Sequence, residues 1–331
     1  MADNLDIMAT ADVAEEDRLE KKPHVERHCS VRKTVEIVLD SWTFLIIREA
    51  FFGLRQFEKF QRRLGIPRQT LSTRLSMLLD NRILVLDRHR QERAQQYFLT
   101  ERGKDLFAPM LSLMEFGDKW LMRGAPPPLS LIHKTCGHEC RPITVCSSCR
   151  AAVSARAVHF RDGPGAGYSP YELRLRSRRS ADPAILERVR PCSVARSLQI
   201  IGDRWSFLIL REGWFGVRRF DEMIEKLGIA SNILADRLSR LVEAGVLKRV
   251  PYTASADRHE YRLTEMGHDL YKPMIVMMRW GDRWLSGGKP PLRLRHRICD
   301  ADFEPLVVCS HCREEIVATE TDYVLRYTLP E

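Results

Sequence analysis

The sequence predicts an α+β fold, mainly α, in which one two-part unit is built twice. Three observations predict it. The stretch "CSVRKTVEIVLDSWTFLIIREAFFGLRQF" at 29–57 returns as "CSVARSLQIIGDRWSFLILREGWFGVRRF" at 192–220. Each copy runs through apolar residues at helical spacing, then two short β-type runs. Each copy then closes on a cluster of histidine and cysteine, "HKTCGHECRPITVCSSC" and "HRICDADFEPLVVCSHC". Trp42 recurs as Trp205, 163 positions on, and the same interval takes Cys29 to Cys192, Arg48 to Arg211 and Arg74 to Arg237. A period this long means duplicated domains, not a solenoid.

The elements follow in order. An acidic stretch, 1–22, lacks the apolar segment of a secretory signal and reads as a disordered tail. In "VRKTVEIVLDSWTFLIIREAFF", Val35, Val38, Leu39, Trp42, Leu45 and Ile46 keep helical spacing, and Asp40-Ser41 interrupts the run where a second helix can be capped. "RQFEKFQRRL" is a short amphipathic helix with Phe57, Phe60 and Leu64 inward, and "GIP" turns the chain. "RQTLSTRLSMLLDNRIL" is a further helix with Leu71, Leu75 and Leu78 on one face. Two β runs then flank an Arg-rich loop, and "DLFAPMLSLMEFGDKWL" is the last helix. Helix, turn, helix and β-hairpin is the order of a winged helix-turn-helix. The second copy repeats every piece. The predicted boundaries are a winged helix domain over 23–125 with a metal-binding module at 126–161, a Gly/Pro- and Arg-rich linker at 162–184, then 185–289 and 290–331 for the second pair. The aromatics Trp42, Phe44, Phe51 and Phe52, with Trp205, Phe207, Trp214 and Phe215, read as core packing rather than a ligand pocket.

The landmarks "DSWTFLIIRE", "LGIPRQTLSTRLSMLLDNRIL" and "YFLTERGKDL", matched by "GDRWSFLILRE", "LGIASNILADRLSRLVEAGVL" and "YRLTEMGHDL", resemble the HxlR-type family of bacterial winged helix-turn-helix transcription regulators. The first copy departs from that pattern at Gln56-Phe57, and has Asn81-Arg82 where the second keeps Gly245. The resemblance implies a sequence-specific regulator of nearby genes, a repressor by expectation, bound to double-stranded DNA at the nucleoid. It implies dimeric action, which a tandem chain can meet as an intramolecular pseudo-dimer or by pairing two chains. It also implies that the last helix joins an N-terminal helix, here copy to copy, and it allows a thiol sensor at an N-terminal cysteine.

In such a fold the second helix of the pair enters the major groove. With the leucines inward, Gln69, Thr73 and Ser76 point outward in the first copy, and Asn232, Asp236 and Ser239 in the second. Gln69 and Asn232 carry amides able to pair bidentately with adenine. Arg68 and Thr70 lie at the first helix start, and Ser231 at the second, where its hydroxyl can cap. Arg74 and Arg237 lie on the rim and suit phosphate. The hairpin loops offer Arg88, His89, Arg90 and Arg93 in one copy and Arg258 and His259 in the other, residues suited to backbone contact.

The shared cluster residues are His133, Cys136, Cys146 and Cys149, and His296, Cys299, Cys309 and Cys312. Each set is H-x2-C and C-x2-C, which can hold one structural zinc tetrahedrally, about two per chain, in a zinc-ribbon-like β-hairpin closed within each copy. Cys140 can replace His133 in the first copy, but the second offers no such option, so His133 is preferred. Cys29 and Cys192 precede the first helix of each domain, where a helix N-terminus favours a reactive thiolate. A small buried side chain is the plainer reading.

With 331 residues and 44% hydrophobic content the chain can build two cores. A net charge of +9 suits an anionic partner. No apolar run is long enough to span a membrane, and the chain is expected in the cytoplasm. Enzymatic activity is not expected: there is no phosphate loop, no nucleophile with paired carboxylates and no open metal position. The other readings are a redox regulator working through Cys29 and Cys192, and a zinc-dependent interaction module with secondary DNA contact.

Overall fold

The structure is a computed structural model, and residues 25–87, 95–170, 187, 190–251 and 259–327 are described. The predicted tail, most of the linker and both hairpin tips, with Arg88, His89, Arg90, Arg93 and Arg258, lie outside the described residues.

In the first copy the helices are α1 (Ser30–Val38), α2 (Ser41–Phe51), α3 (Phe57–Leu64), α4 (Arg68–Asp80), α5 (Glu101–Lys104) and α6 (Phe107–Trp120). In the second they are α7 (Ser193–Ile201), α8 (Arg204–Trp214), α9 (Phe220–Leu227), α10 (Ser231–Glu243), α11 (Glu265–Asp269) and α12 (Tyr271–Leu285). Local chemistry sets their ends. The Asp40 carboxylate accepts from the Thr43 N–H at 3.2 Å, and Asp203 accepts from Trp205 and Ser206 N–H, so α2 and α8 begin where the sequence placed a cap. Gly65 and Gly228, at φ 59 and 58, stop α3 and α9 in the left-handed region that makes the tight turn of the motif. Where the second copy uses Gly245, the first holds Arg82 at φ 54, a conformation that costs an L-residue roughly 1–2 kcal/mol.

Leu71, Leu75 and Leu78 are buried against α2, as Leu234, Leu238 and Leu241 are against α8. Such burial stabilises by about 1.5–3 kcal/mol per side chain. The wings are the antiparallel hairpins β2 (Leu84–Asp87) with β3 (Gln96–Leu99) and β9 (Leu247–Pro251) with β10 (His259–Leu263). Both domains are therefore winged helix-turn-helix units, as expected. Among the described residues no helix is long and apolar enough to cross a membrane.

The copies do not sit side by side as separate beads. α1 packs on α12, α6 on α7, and α6 and α12 on each other. Every one of these contacts joins one copy to the other. The Thr34 hydroxyl donates to the Met277 carbonyl at 3.2 Å, and the Ser197 hydroxyl to the Leu113 carbonyl at 2.8 Å. Gly281 lets the helices meet, since a Cβ there would stand 2.6 Å from the Ser30 carbonyl oxygen; Gly117 does the same against Ser193. The Trp120 indole donates to Asp269 at 2.8 Å and the Trp284 indole to Asp105 at 2.7 Å, again copy to copy. One core runs through the winged helix domains of both copies, and a second, smaller one, with Leu111, Leu131, Val276 and Val307, lies under the C-terminal modules.

The C-terminal modules interlace as well. β4 (Leu129–His133) pairs with β5 (His138–Cys140) in its own copy and with β14 (Thr321–Leu325) of the other. β11 (Leu292–His296) likewise pairs with β12 (Ala301–Phe303) and with β7 (Val158–Asp162). β6 (Pro142–Cys146) pairs antiparallel with its own counterpart β13 (Pro305–Cys309). The expectation of a hairpin closed within each copy is corrected: the strand bearing the second cysteine pair crosses to the other copy. The start of the expected linker is also ordered, as β8 (Tyr168–Pro170) pairs with β1 (Val25–Arg27).

Candidate nucleic-acid interface and metal centres

The outward face of α4 carries the residues that the leucine register predicts. Gln69, Thr73 and Ser76 are exposed, Arg68 is exposed at the helix start, and Thr70 is half-buried beside it. On α10 the exposed set is Ser231, Asn232, Asp236 and Ser239. Arg68 lies over the Phe57 ring, 4.9 Å from its centroid, and reaches Glu58 at 3.5 Å. Aromatic support of this kind holds a long side chain ready at low entropic cost.

Three placements differ from expectation. Arg74 turns inward, 8% exposed, and its guanidinium donates to Asp40 at 2.9 Å. Arg237 donates to Asp203 at 3.0 Å and also pairs with Asp236. Each arginine thus ties the second helix of the motif to the cap of the helix behind it, instead of standing on the rim. Ser231 is the first helical residue of α10, and the cap position is Ala230, with no side-chain cap, so its hydroxyl does not cap the helix. Sequence reasoning missed Arg240. It stands exposed one turn beyond Asp236 and pairs with it at 3.2 Å. The i,i+4 spacing was the available signal.

The cysteines and histidines collect into two groups of four, each drawn from both copies. One is His133, Cys136, Cys309 and Cys312; the other is Cys146, Cys149, His296 and Cys299. Within each group the ligand atoms all lie within 4.8 Å of one another. Cys136 Sγ is 3.9 Å from Cys309 Sγ and 3.6 Å from His133 Nδ1, which is 3.2 Å from Cys312 Sγ. In the other group Cys146 Sγ is 3.9 Å from Cys299 Sγ, and His296 Nδ1 is 3.3 Å from Cys149 Sγ and 3.6 Å from Cys299 Sγ. Tetrahedral zinc with sulfur at about 2.3 Å spaces its ligands by about 3.8 Å, so both donor sets fit that ion. The eight residues expected as donors all fall in these groups, but the expected grouping within each copy is corrected to one across copies.

One cysteine of each C-x2-C pair is held towards thiolate by backbone N–H groups, while Cys312 and Cys299 shift the other way. Burial works against charge on Cys309, yet the Cys312 and His311 N–H groups hold its thiol below the ordinary range. The Ala151 N–H does the same for the exposed Cys149. Cys140 lies behind the first group, where burial and the neighbouring Cys309 push its thiol up to about 12. His133, not Cys140, stands with Cys136, Cys309 and Cys312 in the group of four. His138 is exposed and stacks on His311 at 3.6 Å between ring centroids.

Cys29 and Cys192 precede α1 and α7, with backbone extended at the cap position and no side-chain cap. Cys29 is buried and Cys192 half-buried. The Cys29 thiol stands against Arg211 of the other copy. Burial opposes the charge of that arginine, but Cys29 and Glu212 beside it keep its pKa above the ordinary value.

A family model described as HxlR-like helix-turn-helix matches residues 37–125 and 200–289. A protein of Mycobacterium tuberculosis named as an uncharacterized HTH-type transcriptional regulator is 50% identical over 127 residues, 38% of this chain and 80% of that protein. One of Synechocystis sp. with the same description is 32% identical over 108 residues, 32% of this chain and 79% of that protein. A crystal structure described as that of a transcription factor has 37% identity and a TM-score of 0.37, over 41% of this chain and 95% of that one.

Proposed function

Because the chain belongs to the HxlR-like helix-turn-helix family, we propose that it is a sequence-specific DNA-binding transcriptional regulator, a repressor, carrying two recognition helices on one polypeptide. It is not an enzyme. The observation that carries the reading is the division of α4 and α10 into a leucine face buried in the domain and a polar face left exposed. Gln69 and Asn232 read base edges, Arg68, Thr70, Thr73, Ser231 and Asp236 flank them, and Arg88, Arg90, Arg93 and Arg258 touch the backbone. Arg74 and Arg237 act indirectly, by fixing the angle of each helix through Asp40 and Asp203. Zinc, one ion in each cross-copy group, supplies a structural clasp between the copies. Four protein donors leave it no open position for catalysis.

The two reading faces differ, so the preferred operator holds two related but unequal half-sites. The test is fluorescence anisotropy on operator DNA taken from a footprint upstream of a regulated gene. Gln69→Ala and Asn232→Ala each weaken binding by about 1–3 kcal/mol, and affinity falls steeply with salt. Unchanged affinity in both variants would sink the reading, and a reporter that rises when the footprint is occupied would remove the repressor.

A second reading concerns the thiols. Cys29 is positioned so that an oxidised, anionic sulfur would lie beside the Arg211 guanidinium, which favours a redox-sensing regulator. Mass spectrometry after mild peroxide decides it, and an unmodified Cys29 and Cys192 end the idea.

A further inference from the structure

A cavity of about 140 Å³ opens between the C-terminal end of α2, α6, the start of α7 and the strands β4 and β14. It is built from both copies. Apolar cavities of about 150 Å³ hold a single benzene-sized molecule. Phe51, Phe107, Met114 and Leu131 give it apolar walls, which revises the reading of Phe51 and Phe52 as core packing alone.

The polar part of the lining is one-sided. Two arginines, Arg48 and Arg190, line it, and among the described residues no carboxylate does. Arg190 is 4% exposed. It donates to Glu49 at 2.7 Å behind the wall and to the Tyr327 hydroxyl at 3.5 Å. The Phe52 ring covers its guanidinium at 3.9 Å from the centroid. Arg48 and Arg190 both pair with the single carboxylate of Glu49, and an anion in the cavity would stand beside guanidinium groups that little water screens. Burial also pushes up the pKa of Tyr327, so its hydroxyl keeps its proton and can donate.

The duplicated half serves as an internal control. At the equivalent place the larger Trp214 and Tyr271 replace Phe51 and Phe107; both pairs are in ring contact, at 5.7 and 5.3 Å between centroids, so the difference is one of side-chain bulk. The counterpart of Arg190 is Arg27, which is partly exposed and pairs with Asp162. Pro164 stands where Tyr327 stands. The features that make a binding site belong to one side alone.

We propose that this cavity is an effector site, one per chain, for a small planar apolar molecule bearing one negative charge, of the aromatic carboxylate class. The ring would lie among Phe51, Phe107 and Met114, and the carboxylate would meet Arg190 and Tyr327. Because α2 forms a wall of the cavity and also supports α4, occupancy would bias the setting of that recognition helix. This coupling rests on the DNA-reading function, but binding itself does not.

The two are therefore measured apart. Titration calorimetry of the full metal-loaded chain with benzoate, and with benzamide as the neutral match, reports the site without DNA. Benzoate should bind at one per chain and at least tenfold more tightly than benzamide. Arg190→Gln should erase that preference. The double variant Phe51→Trp/Phe107→Tyr installs residues that the second copy already accommodates. It should keep the parent's melting temperature and lose benzoate. Equal binding of the two ligands, no benzoate binding at millimolar concentration, or undiminished binding by the double variant would overturn the site. Benzoate that binds as expected without altering operator affinity would leave the site standing and remove its coupling to α4.

Discussion

Asp118 and Asp282 occupy equivalent places in α6 and α12, where each helix crosses the first helix of the other copy. Asp118 accepts from the Ser193 hydroxyl, and Asp282 from Ser30. Burial raises both carboxyls to about 6, against the opposing pull of those serines; Glu115 raises Asp118 further while Arg196 lowers it, and Glu304 raises Asp282. A raised carboxyl pKa means that the folded state holds the proton more tightly than the unfolded chain does. The penalty is absent below about pH 4, grows as pH rises towards 6, and is complete above that. Asp118→Asn and Asp282→Asn keep a side chain that can still meet the serine but remove the charge. Each should stabilise the protein at pH 7.5 by on the order of 1–2 kcal/mol, with the gain shrinking towards pH 4. Urea denaturation across that range checks it, and a gain independent of pH would mean that the charge is not the cause.

The interlaced modules follow from one strand pairing. In β6 and β13 the register matches Thr144 to Val307 and Cys146 to Pro305. Thr144 and Val307 are themselves equivalent positions, so the ladder is symmetrical about its own centre. Antiparallel pairing about such a centre brings Cys309, at the end of one strand, to Pro142, at the start of the other, and so carries Cys309 and Cys312 to His133 and Cys136. Metal binding should therefore couple residues across copies. Cys136→Ala and Cys309→Ala should each remove one of about two zincs, and the double variant should still keep the other. Cys136→Ala with Cys146→Ala should lose both. Zinc analysis of the four variants separates this from closure within each copy, which predicts the reverse. The candidate donors themselves were legible in the spacing, because x2 spacing defines each tight turn locally. Their grouping was not, because two identical pairs of turns can be shared out within or between copies, and only the long-range ladder decides. The same limit applied to Arg74: a 3.6-residue period places it at the edge of the leucine face, but only the folded Asp40 cap draws it inward.

At the scale of the molecule, the chain is a two-fold assembly whose halves have been free to diverge. The helical frame has kept its symmetry, with α1 on α12 and α6 on α7. The exposed faces of α4 and α10 have not. The first offers Arg68, Gln69 and Thr73, and the second Ser231, Asn232 and Asp236. Asp236 is the sharpest difference, since a carboxylate on a face proposed to enter the groove would repel phosphate and select its base partner narrowly, while Arg240 partly offsets its charge. If each face reads its own half-site, making them alike should make the operator alike. The triple variant Ser231→Arg/Asn232→Gln/Asp236→Thr gives α10 the face of α4 without touching its leucines or the Arg237–Asp203 tie. Selection from random duplexes should then move from two unequal half-sites to an inverted repeat of the half read by α4. Non-specific affinity should rise as well, because one negative charge is exchanged for one positive. If the selected sequence is unchanged, α10 does not read bases, and the second copy serves only to brace the first.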